Sequence, residues 1–339
     1  MKVALLGPVA WRTPPLHYGP WEQITSLIAE GLVARGLDVT LFATLDSKTR
    51  AKLDGVCATG YAETPELDGR VCEALHISHA IARSSEFDLV HNHLDWLPLA
   101  FATQFAAPLL TTIHGFSGCG ILPAYEHARA TSFVSISDAD RAPGLDYIAT
   151  VHHGIELGAL RFSAAAGASL VVFGRIHPDK GTAEAIEIAR RAKRQLVICG
   201  IVQDAAYFRM QVEPHIDGEN VVYLGSVGPE RRASVLGGAA ALLHPIAFAE
   251  PFGLSVVEAM ACGTPVIAYP RGSMPEIIEH GVTGFLVEGT EAAARAVEAA
   301  CVLDRASIRR IAERRFGSER MVDDYIDVYR RVLERGRPT

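Results

Sequence analysis

Two glutamates with seven residues between them, Glu250 and Glu258, frame the segment whose residue types are best suited to chemistry. The pattern around them predicts a strand, a loop, a helix and a second strand, with Glu250 in the loop and Glu258 about one turn into the helix. Phe252-Gly253-Leu254 mark the predicted helix start, where unpaired N–H groups and the helix dipole attract an anion. Carboxylates beside an anion site indicate a ligand that also carries hydroxyl groups. A sugar nucleotide offers both kinds of group.

A second set of charges flanks a predicted turn between another strand and helix. Arg175 and Lys180 lie in the run Gly174-Arg-Ile-His-Pro-Asp-Lys-Gly181. Fixed cations at such a turn stabilise the negative charge that grows on a phosphate oxygen when a bond to a diphosphate breaks.

The segment from Glu250 to Glu258 resembles the E-x7-E signature of the retaining glycosyltransferases of family four, which have the GT-B fold, and the resemblance extends over nearly the whole chain. The run that begins at Gly174 resembles the family's G-R-x-x-x-x-K-G element. The resemblance implies that Glu250 contacts the donor sugar and that Glu258 holds the ribose of the nucleotide. It further implies that Arg175 and Lys180 grip the diphosphate, and that Phe252, Gly253 and Leu254 bind the donor through their backbone.

The same resemblance assigns residues in the first half of the chain. His114, at the end of a predicted strand, resembles the histidine that contacts the donor sugar and helps to stabilise the sugar cation. Gly19-Pro20 stands where the family has a glycine pair, and proline removes one amide donor there. The loop residues His17, Tyr18 and Gly19 are candidates for binding the acceptor or the diphosphate, with an ordered aromatic turn as the alternative. In the second half, Gly225 follows a predicted strand where the family seats the base.

Three further histidines are singled out by position. His91 and His93 alternate in the sequence, and we expect one ring in the core and the other towards a cleft. His153 replaces the asparagine that commonly precedes the glycine at this point of the family's sequences.

Asp138-Ala139-Asp140 offers a competing interpretation, the metal-binding D-x-D of single-domain GT-A transferases. Ser137 and Asp140 also have the spacing of a helix N-cap. The competing interpretation leaves Arg175 and Lys180 unexplained, and no His, Cys and Asp cluster has convincing metal spacing. We therefore expect no metal site.

The composition limits the class of protein. The chain has 339 residues, of which 49% are hydrophobic, a length that suits two domains rather than one. A net charge of −7 does not indicate a nucleic-acid surface. The six cysteines lack paired spacing, which fits a reducing compartment, and no apolar run is long enough to span a membrane. We expect a soluble, cytoplasmic protein.

Alternating apolar runs and helical segments predict parallel sheets with helices on both faces. The fold class expected is α/β, a GT-B arrangement of two Rossmann-like doubly wound parallel-sheet domains that face each other across a cleft. Residues 1–155 form the predicted acceptor-side domain and residues 165–318 the nucleotide-sugar domain. The spacing at about 319–335 predicts an amphipathic helix. The resemblance implies that it is a C-terminal crossover helix that returns to the first domain, with a simple C-terminal cap helix as the alternative.

Together these features predict a metal-independent, retaining hexosyltransferase that needs no cofactor beyond its nucleoside diphosphate sugar. The expected donor is a UDP or GDP sugar of glucose or mannose type, and the expected acceptor is a hydroxyl of a sugar or glycosylated small molecule. A GT-B nucleotide-sugar epimerase or hydrolase and a non-catalytic sugar-nucleotide-binding protein are the alternatives. The sequence assigns neither an oligomeric state nor the acceptor.

Overall fold

The computed structural model describes residues 1–16, 19–115 and 118–335, and the chain divides into two compact units. The first unit comprises Met1–Gly154 and the C-terminal segment that begins at Ser318, and the second comprises Ile155–Gly317. Each unit is built on one parallel sheet, and most strand residues are buried. Burial on both faces explains why the strands read as continuous apolar runs. The prediction of two doubly wound α/β sheets is confirmed.

Within the described residues, the sheet of the first unit has seven strands in the order β3-β2-β1-β4-β5-β6-β7. The strand order reverses between β1 and β4, the kind of position at which doubly wound sheets bind ligands. Six of these strands coincide with apolar runs of the sequence, which predict strands there. The seventh, β3, was not predicted, because its sequence Lys-Leu-Asp at the sheet edge offers no apolar run. The strands are β1 (Lys2–Leu6), β2 (Asp38–Phe42), β3 (Lys52–Asp54), β4 (Leu89–Asn92), β5 (Leu109–Ile113), β6 (Ser132–Ser135) and β7 (Tyr147–Thr150).

The helices of the first unit include the last helix of the chain. The segment 95–106 has helical spacing in the sequence, but it forms a run of 3₁₀ turns, Leu97–Gln104, because the backbone of Phe101 is not helical. The α-helices are α1 (Pro20–Ala34), α2 (Gly69–Arg83), α3 (Leu122–His127) and α11 (Ser318–Arg335), and the other 3₁₀ turns are Ser84–Glu86 and Cys119–Ile121.

Helix α11 packs along α1. A Cβ at Gly31 of α1 would lie 2.4 Å from Val322 Cγ2, so the two helices approach closely at this point. Arg35 secures the contact by donating to Asp323 at 2.6 Å and to Glu319 at 2.9 Å. The face of α11 predicted to be apolar is buried, and it comprises Met321, Tyr325, Val328, Tyr329 and Val332.

The sheet of the second unit has the order β10-β9-β8-β11-β12-β13, again with a reversal, between β8 and β11. All neighbouring strands are parallel, so their carboxyl ends lie at one edge. The strands are β8 (Leu170–Phe173), β9 (Leu196–Cys199), β10 (Val221–Tyr223), β11 (Ala241–His244), β12 (Val266–Ala268) and β13 (Gly284–Leu286).

Helix α10 of the second unit was not predicted, because its sequence is rich in arginine and has few apolar positions. Its α-helices are α4 (Thr182–Ala192), α5 (Ala205–Tyr207), α6 (Pro229–Gly238), α7 (Leu254–Ala261), α8 (Met274–Ile277), α9 (Thr290–Cys301) and α10 (Arg305–Phe316). A π-helical turn spans Phe208–Val212, and 3₁₀ turns span Leu157–Ala159, Pro178–Lys180 and Glu213–His215.

The first residue of α10, Arg305, is buried and ties several segments together. Its guanidinium donates to the carbonyl oxygens of Gly237 at 2.7 Å, in the last turn of α6, and of Ala239 at 3.0 Å, just after it. It also donates to Ser163 O and to Thr264 Oγ1, each at 2.8 Å. Charged hydrogen bonds of this kind are stronger than neutral ones, and they fix the position of α6.

The cysteines and the helices bear on two further expectations. All six cysteines are free thiols, and four of them are buried. Among the helices of the described residues, none is long and apolar enough to cross a membrane.

Candidate active site

Lys180 and Glu250, seventy positions apart in the sequence, form an ion pair in the second unit. Lys180 ends the 3₁₀ turn that follows β8, and Glu250 lies in the loop between β11 and α7. Lys180 Nζ lies 2.6 Å from Glu250 Oε2 and 4.5 Å from the centre of the Phe248 ring. Their side chains are only 17% and 12% exposed, so Lys180 is not a solvated turn residue. The turn is instead folded onto the Glu250 loop.

Glu250 is ionised at neutral pH. Burial alone would raise the pKa of its carboxyl, but the nearby His244 imidazole and the Lys180 ammonium outweigh that effect and lower the pKa to about 2. His244 is the last residue of β11, and its Nε2 lies 3.5 Å from Glu250 Oε2. A carboxylate in this state accepts hydrogen bonds from hydroxyl groups or stabilises a developing cation, and it does not serve as a proton donor.

The start of α7 has the geometry that an anion requires. Gly253, the N-cap, has a φ of 92°, and a Cβ there would lie 2.7 Å from Met274 Cε, so this position favours glycine. In the described part of the chain, the N–H groups of Gly253 and Leu254 donate to no protein acceptor. Phe252, just before them, is buried. Two unpaired amides thus stand at the positive end of α7, in the loop that carries Glu250.

Arg175 lies two residues beyond the end of β8. Its guanidinium is hydrogen-bonded to Gln203 rather than to either glutamate. Because the sequence offered no motif around Gln203, this partner was not predicted.

Glu258, the second glutamate of the predicted pair, has its own cation. Arg232 Nη1 in α6 donates to Glu258 Oε1 at 3.0 Å. Burial raises the pKa of Glu258, and Arg232 counteracts that rise. Arg232 was not predicted as a site residue, because a Glu-Arg-Arg run at the start of a helix is usually exposed to solvent.

The predicted base-binding turn follows β10. Gly225 has a φ of 68°, and its carbonyl accepts a hydrogen bond of 2.9 Å from the N–H of Gly200. Tyr223 adds a second link, because its hydroxyl donates to Gly200 O, also at 2.9 Å. The ends of β9 and β10 are therefore held together where the base is expected.

In the first unit, His114 belongs to a chain of buried histidines. Tyr329 Oη lies 2.8 Å from His91 Nδ1, which lies 3.2 Å from His93 Nε2. His93 Nδ1 lies 2.9 Å from His114 Nε2, and His114 Nδ1 lies 3.3 Å from His153 Nε2. The expectation that His91 and His93 point in different directions was wrong, because residues two apart on a strand share a face. His153, the replacement at the asparagine position, completes the chain.

Burial keeps these imidazoles neutral. It lowers the pKa of His114 to about 3, and burial together with neighbouring histidines lowers the pKa values of His91 and His93 well below their usual range. A neutral imidazole donates from one nitrogen and accepts at the other. Both ring nitrogens of His114 lie near a histidine, one near His93 and the other near His153. The Trp21 ring stacks on His114 at a centroid distance of 5.4 Å.

The N-terminal loop is described in part. His17 and Tyr18 lie outside the described residues, and Gly19 is the N-cap of α1. Pro20 is the first helical residue, where proline's missing N–H removes no helical hydrogen bond. Glu22 in this helix was not predicted as a site residue, yet it is buried, and burial raises the pKa of its carboxyl to about 7.

The Asp138-Ala139-Asp140 segment follows β6. Asp138 Oδ1 accepts from Thr150 Oγ1 at 2.5 Å and lies 3.6 Å from Arg141 Nε. Ser137 Oγ accepts from the N–H of Asp140 at 3.1 Å, but in a turn, so the predicted helix cap was wrong. Across residues 1–16, 19–115 and 118–335, no group of three or more His, Cys, Asp or Glu side chains could hold a metal ion.

Comparison with known proteins finds similarity to glycosyltransferases. Residues 166–314 match the family model for glycosyl transferases group 1. The chain is 26% identical to glycogen synthase of Mycobacterium tuberculosis over an alignment of 354 positions, gaps included, which covers 87% of this chain and 85% of that protein.

Two solved structures share the fold over nearly the whole chain. AviGT4, a glycosyltransferase involved in avilamycin A biosynthesis, has 24% identity and a TM-score of 0.75, covering 98% of each chain. Anabaena Alr3699/HepE, solved in complex with UDP and glucose, has 19% identity and a TM-score of 0.75, covering 98% of this chain and 100% of that one. The chain therefore has the GT-B fold. The family model and the curated relative together support a glycosyltransferase.

Proposed function

We propose that the protein is a retaining glycosyltransferase that moves a glucose- or mannose-type hexose from a UDP or GDP sugar to a hydroxyl of a sugar or glycosylated small molecule. The observation that carries the proposal is the Lys180–Glu250 pair beside the unpaired amides of Gly253 and Leu254. A cation, a carboxylate and two N–H donors in one loop region match a ligand that joins a diphosphate to a polyhydroxylated ring.

The residues divide the work as follows. Lys180, Arg175 and the start of α7 hold the diphosphate and stabilise the charge that develops on it. Glu250 accepts hydrogen bonds from the sugar hydroxyls, and Glu258 accepts them from the ribose. His114 contacts the sugar. It does so either through a ring nitrogen, which then gives up its hydrogen bond to a neighbouring histidine, or through its backbone carbonyl. Gly225 lies beside the base.

The reaction needs no separate general base. The acceptor hydroxyl attacks the anomeric carbon from the side of the leaving group, the bond between that carbon and the diphosphate oxygen breaks, and a diphosphate oxygen takes the hydroxyl proton. As that bond breaks, negative charge grows on the diphosphate oxygen before the proton reaches it, so the attraction to Lys180 is stronger in the transition state than in the bound donor. The configuration at the anomeric carbon is retained.

Two relatives support the choice of ligand. The Anabaena protein with the same fold binds UDP and glucose, and the mycobacterial relative is a glycogen synthase. We further propose that the enzyme needs no metal ion or other cofactor, because Lys180 and Arg175 supply the positive charge at the diphosphate. We also propose that it acts in the cytoplasm.

The test is a thermal-shift screen with UDP, GDP and ADP, followed by incubation of the matching glucose and mannose donors with a panel of sugar acceptors. A nucleotide at about 100 times its dissociation constant stabilises the native state by roughly 2.7 kcal/mol. Proton NMR of the product should show the donor's anomeric configuration on the acceptor. Donor epimerised or hydrolysed with every acceptor would indicate the alternative GT-B chemistry, and donor bound but unchanged would indicate a binding protein.

A further inference from the structure

Arg232 stands between two parts of the candidate donor site in the second unit. It lies in the first turns of α6, and its Nη1 donates to Glu258 Oε1 at 3.0 Å. Its guanidinium carbon lies 5.1 Å from the centre of the Phe173 ring, the last residue of β8. Arg175, which we assign to the diphosphate, follows Phe173 by two residues. Arg232 therefore links the carboxylate of α7 to the strand end that carries the diphosphate arginine.

The helix that carries Arg232 is held firmly. Arg305 binds the carbonyls of Gly237 and Ala239 at the end of α6. Cys262 Sγ contacts Ala233 O at 3.8 Å, which joins α6 to the end of α7. With α6 fixed and Phe173 beneath the guanidinium, Arg232 has little freedom to leave Glu258.

Glu258 is largely buried and pairs with this cation. Its side chain is only 15% exposed, and among the described residues Arg232 is the one cation whose ion pair reaches it. Burial raises the pKa of the carboxyl, and the arginine works in the opposite direction. Oε1 accepts from Arg232, while Oε2 accepts from no group in the described part of the chain. An ionised carboxylate accepts from two hydroxyl donors, whereas a protonated one has lost acceptor capacity.

We propose that Arg232 is a positioning residue of the nucleotide site, which fixes the Glu258 carboxylate through Oε1 and keeps it ionised so that Oε2 faces the ribose hydroxyls. This inference rests on the proposed role of Glu258 at the ribose. Arg232 Nε is buried and has no hydrogen-bond partner among the described residues, so the guanidinium is incompletely satisfied without a ligand. Buried polar groups without a hydrogen-bond partner are rare in folded proteins, and a role in binding a ligand explains this one.

The test is calorimetric titration of Arg232→Gln with whichever of UDP, GDP and ADP binds the wild type most tightly, at several pH values from about 8.5 to about 5.5, the range in which buried carboxyls titrate. Arg231→Gln is the matched control, since it removes the same charge from the adjacent, exposed position. Arg232→Lys retains a cation. The double variant Arg232→Gln with Glu258→Gln has no titrating group at the site. The ligand's own phosphate titrates identically with every variant, so its effect cancels when the dissociation constants of two variants are compared at one pH.

We expect Arg232→Gln to lose an additional factor of about ten or more in affinity as the pH falls, because Glu258 becomes protonated. Arg231→Gln and Arg232→Lys should follow the wild-type pH profile, and the double variant should bind weakly with a profile parallel to the wild type. A merely structural role would lower affinity by the same factor at every pH. If Arg232→Gln does not fold, Arg232→Met, which still packs on Phe173, takes its place with the same expected profile.

Two results overturn the inference in distinguishable ways. Wild type that binds nucleotide while Arg232→Gln or Arg232→Met shows a parallel pH profile rejects the role of Arg232 and leaves the proposed function intact. Wild type that binds none of the three nucleotides at millimolar concentration rejects the proposed function and this inference together.

Discussion

The ammonium of Lys180 lies 2.6 Å from a carboxylate oxygen of Glu250, and both side chains are largely buried. The cation that we assign to the diphosphate is therefore paired with the carboxylate that we assign to the sugar. The arrangement links folding stability and transfer at one pair of residues.

Lys180→Ala and Arg175→Ala should each lower the rate of transfer by about 10²-fold or more, the effect of removing one preorganised charge-stabilising donor. Only Lys180→Ala should also reduce the free energy of unfolding, by about 1–3 kcal/mol, because it leaves the largely buried Glu250 carboxylate without its charged donor. Urea titrations of both variants, alongside their turnover rates, check this. Near wild-type turnover in either variant would remove that residue from the diphosphate site.

Transfer should survive chelation of divalent metal ions. Lys180 and Arg175 provide positive charge at the diphosphate, and the described residues contain no cluster that could hold a metal ion. Turnover is measured before and after dialysis against EDTA. Activity lost on dialysis and restored by Mg²⁺ or Mn²⁺ would contradict the prediction and revive a role for Asp138 and Asp140.

Arg305→Met should destabilise the second unit by about 3 kcal/mol, since it leaves several buried acceptors without their charged donor. The melting temperature of a unit of this size should fall by about 6–12 °C. Arg310→Met, at an exposed position of the same helix, is the control and should change stability by less than about 0.5 kcal/mol. Differential scanning calorimetry gives both values. Equal melting temperatures in the two variants would mean that Arg305 does not secure α6.

Acid should weaken the first unit through its buried histidines. Burial lowers the pKa of His76 to about 4, against 6.5 in the unfolded chain, so the unfolded chain binds more protons between these values. Stability is therefore complete above pH 6.5 and is lost as the pH falls towards 4, at up to about 1.4 kcal/mol per pH unit for each such histidine. His76→Gln should flatten this slope by one histidine's share, and the exposed His127→Gln should not change it.

Urea unfolding monitored by tryptophan fluorescence measures this slope, because all three tryptophans, Trp11, Trp21 and Trp96, lie in the first unit. An unchanged slope in His76→Gln would show that this histidine is not kept neutral by burial.

Elements with a regular apolar pattern could be predicted from the sequence, whereas elements stabilised by contacts between distant residues could not. Apolar runs predicted twelve of the strands, since burial on both faces of a parallel sheet leaves a clear sequence pattern. The edge strand β3 and the arginine-rich helix α10 lack such a pattern. In α10, the arginine Arg305 is buried because carbonyl groups distant in the sequence accept its hydrogen bonds, and no local pattern reveals such contacts.

The site shows the same division. The resemblance implied that Glu250 and Lys180 bind parts of one ligand, but nothing in the sequence predicted that they form an ion pair. Arg232, Gln203 and His244 carry no local motif, and each becomes a site residue only because the ends of parallel strands and neighbouring helices converge. The histidine chain depends on tertiary contacts between three strand ends and α11, which spacing within the sequence does not reveal.

The central claim, that the two glutamates hold different parts of one nucleotide sugar, is tested most directly by calorimetric titration of Glu258→Ala and Glu250→Ala with UDP and GDP. Glu258 is assigned to the ribose, which the free nucleotide contains, and Glu250 to the sugar, which it lacks. We predict that Glu258→Ala weakens nucleotide binding by roughly ten- to a hundred-fold, the effect of a lost charged hydrogen bond. Glu250→Ala should bind the nucleotide almost as the wild type does while transfer collapses. Equal loss of nucleotide affinity in both variants, or loss in Glu250→Ala alone, would contradict the account.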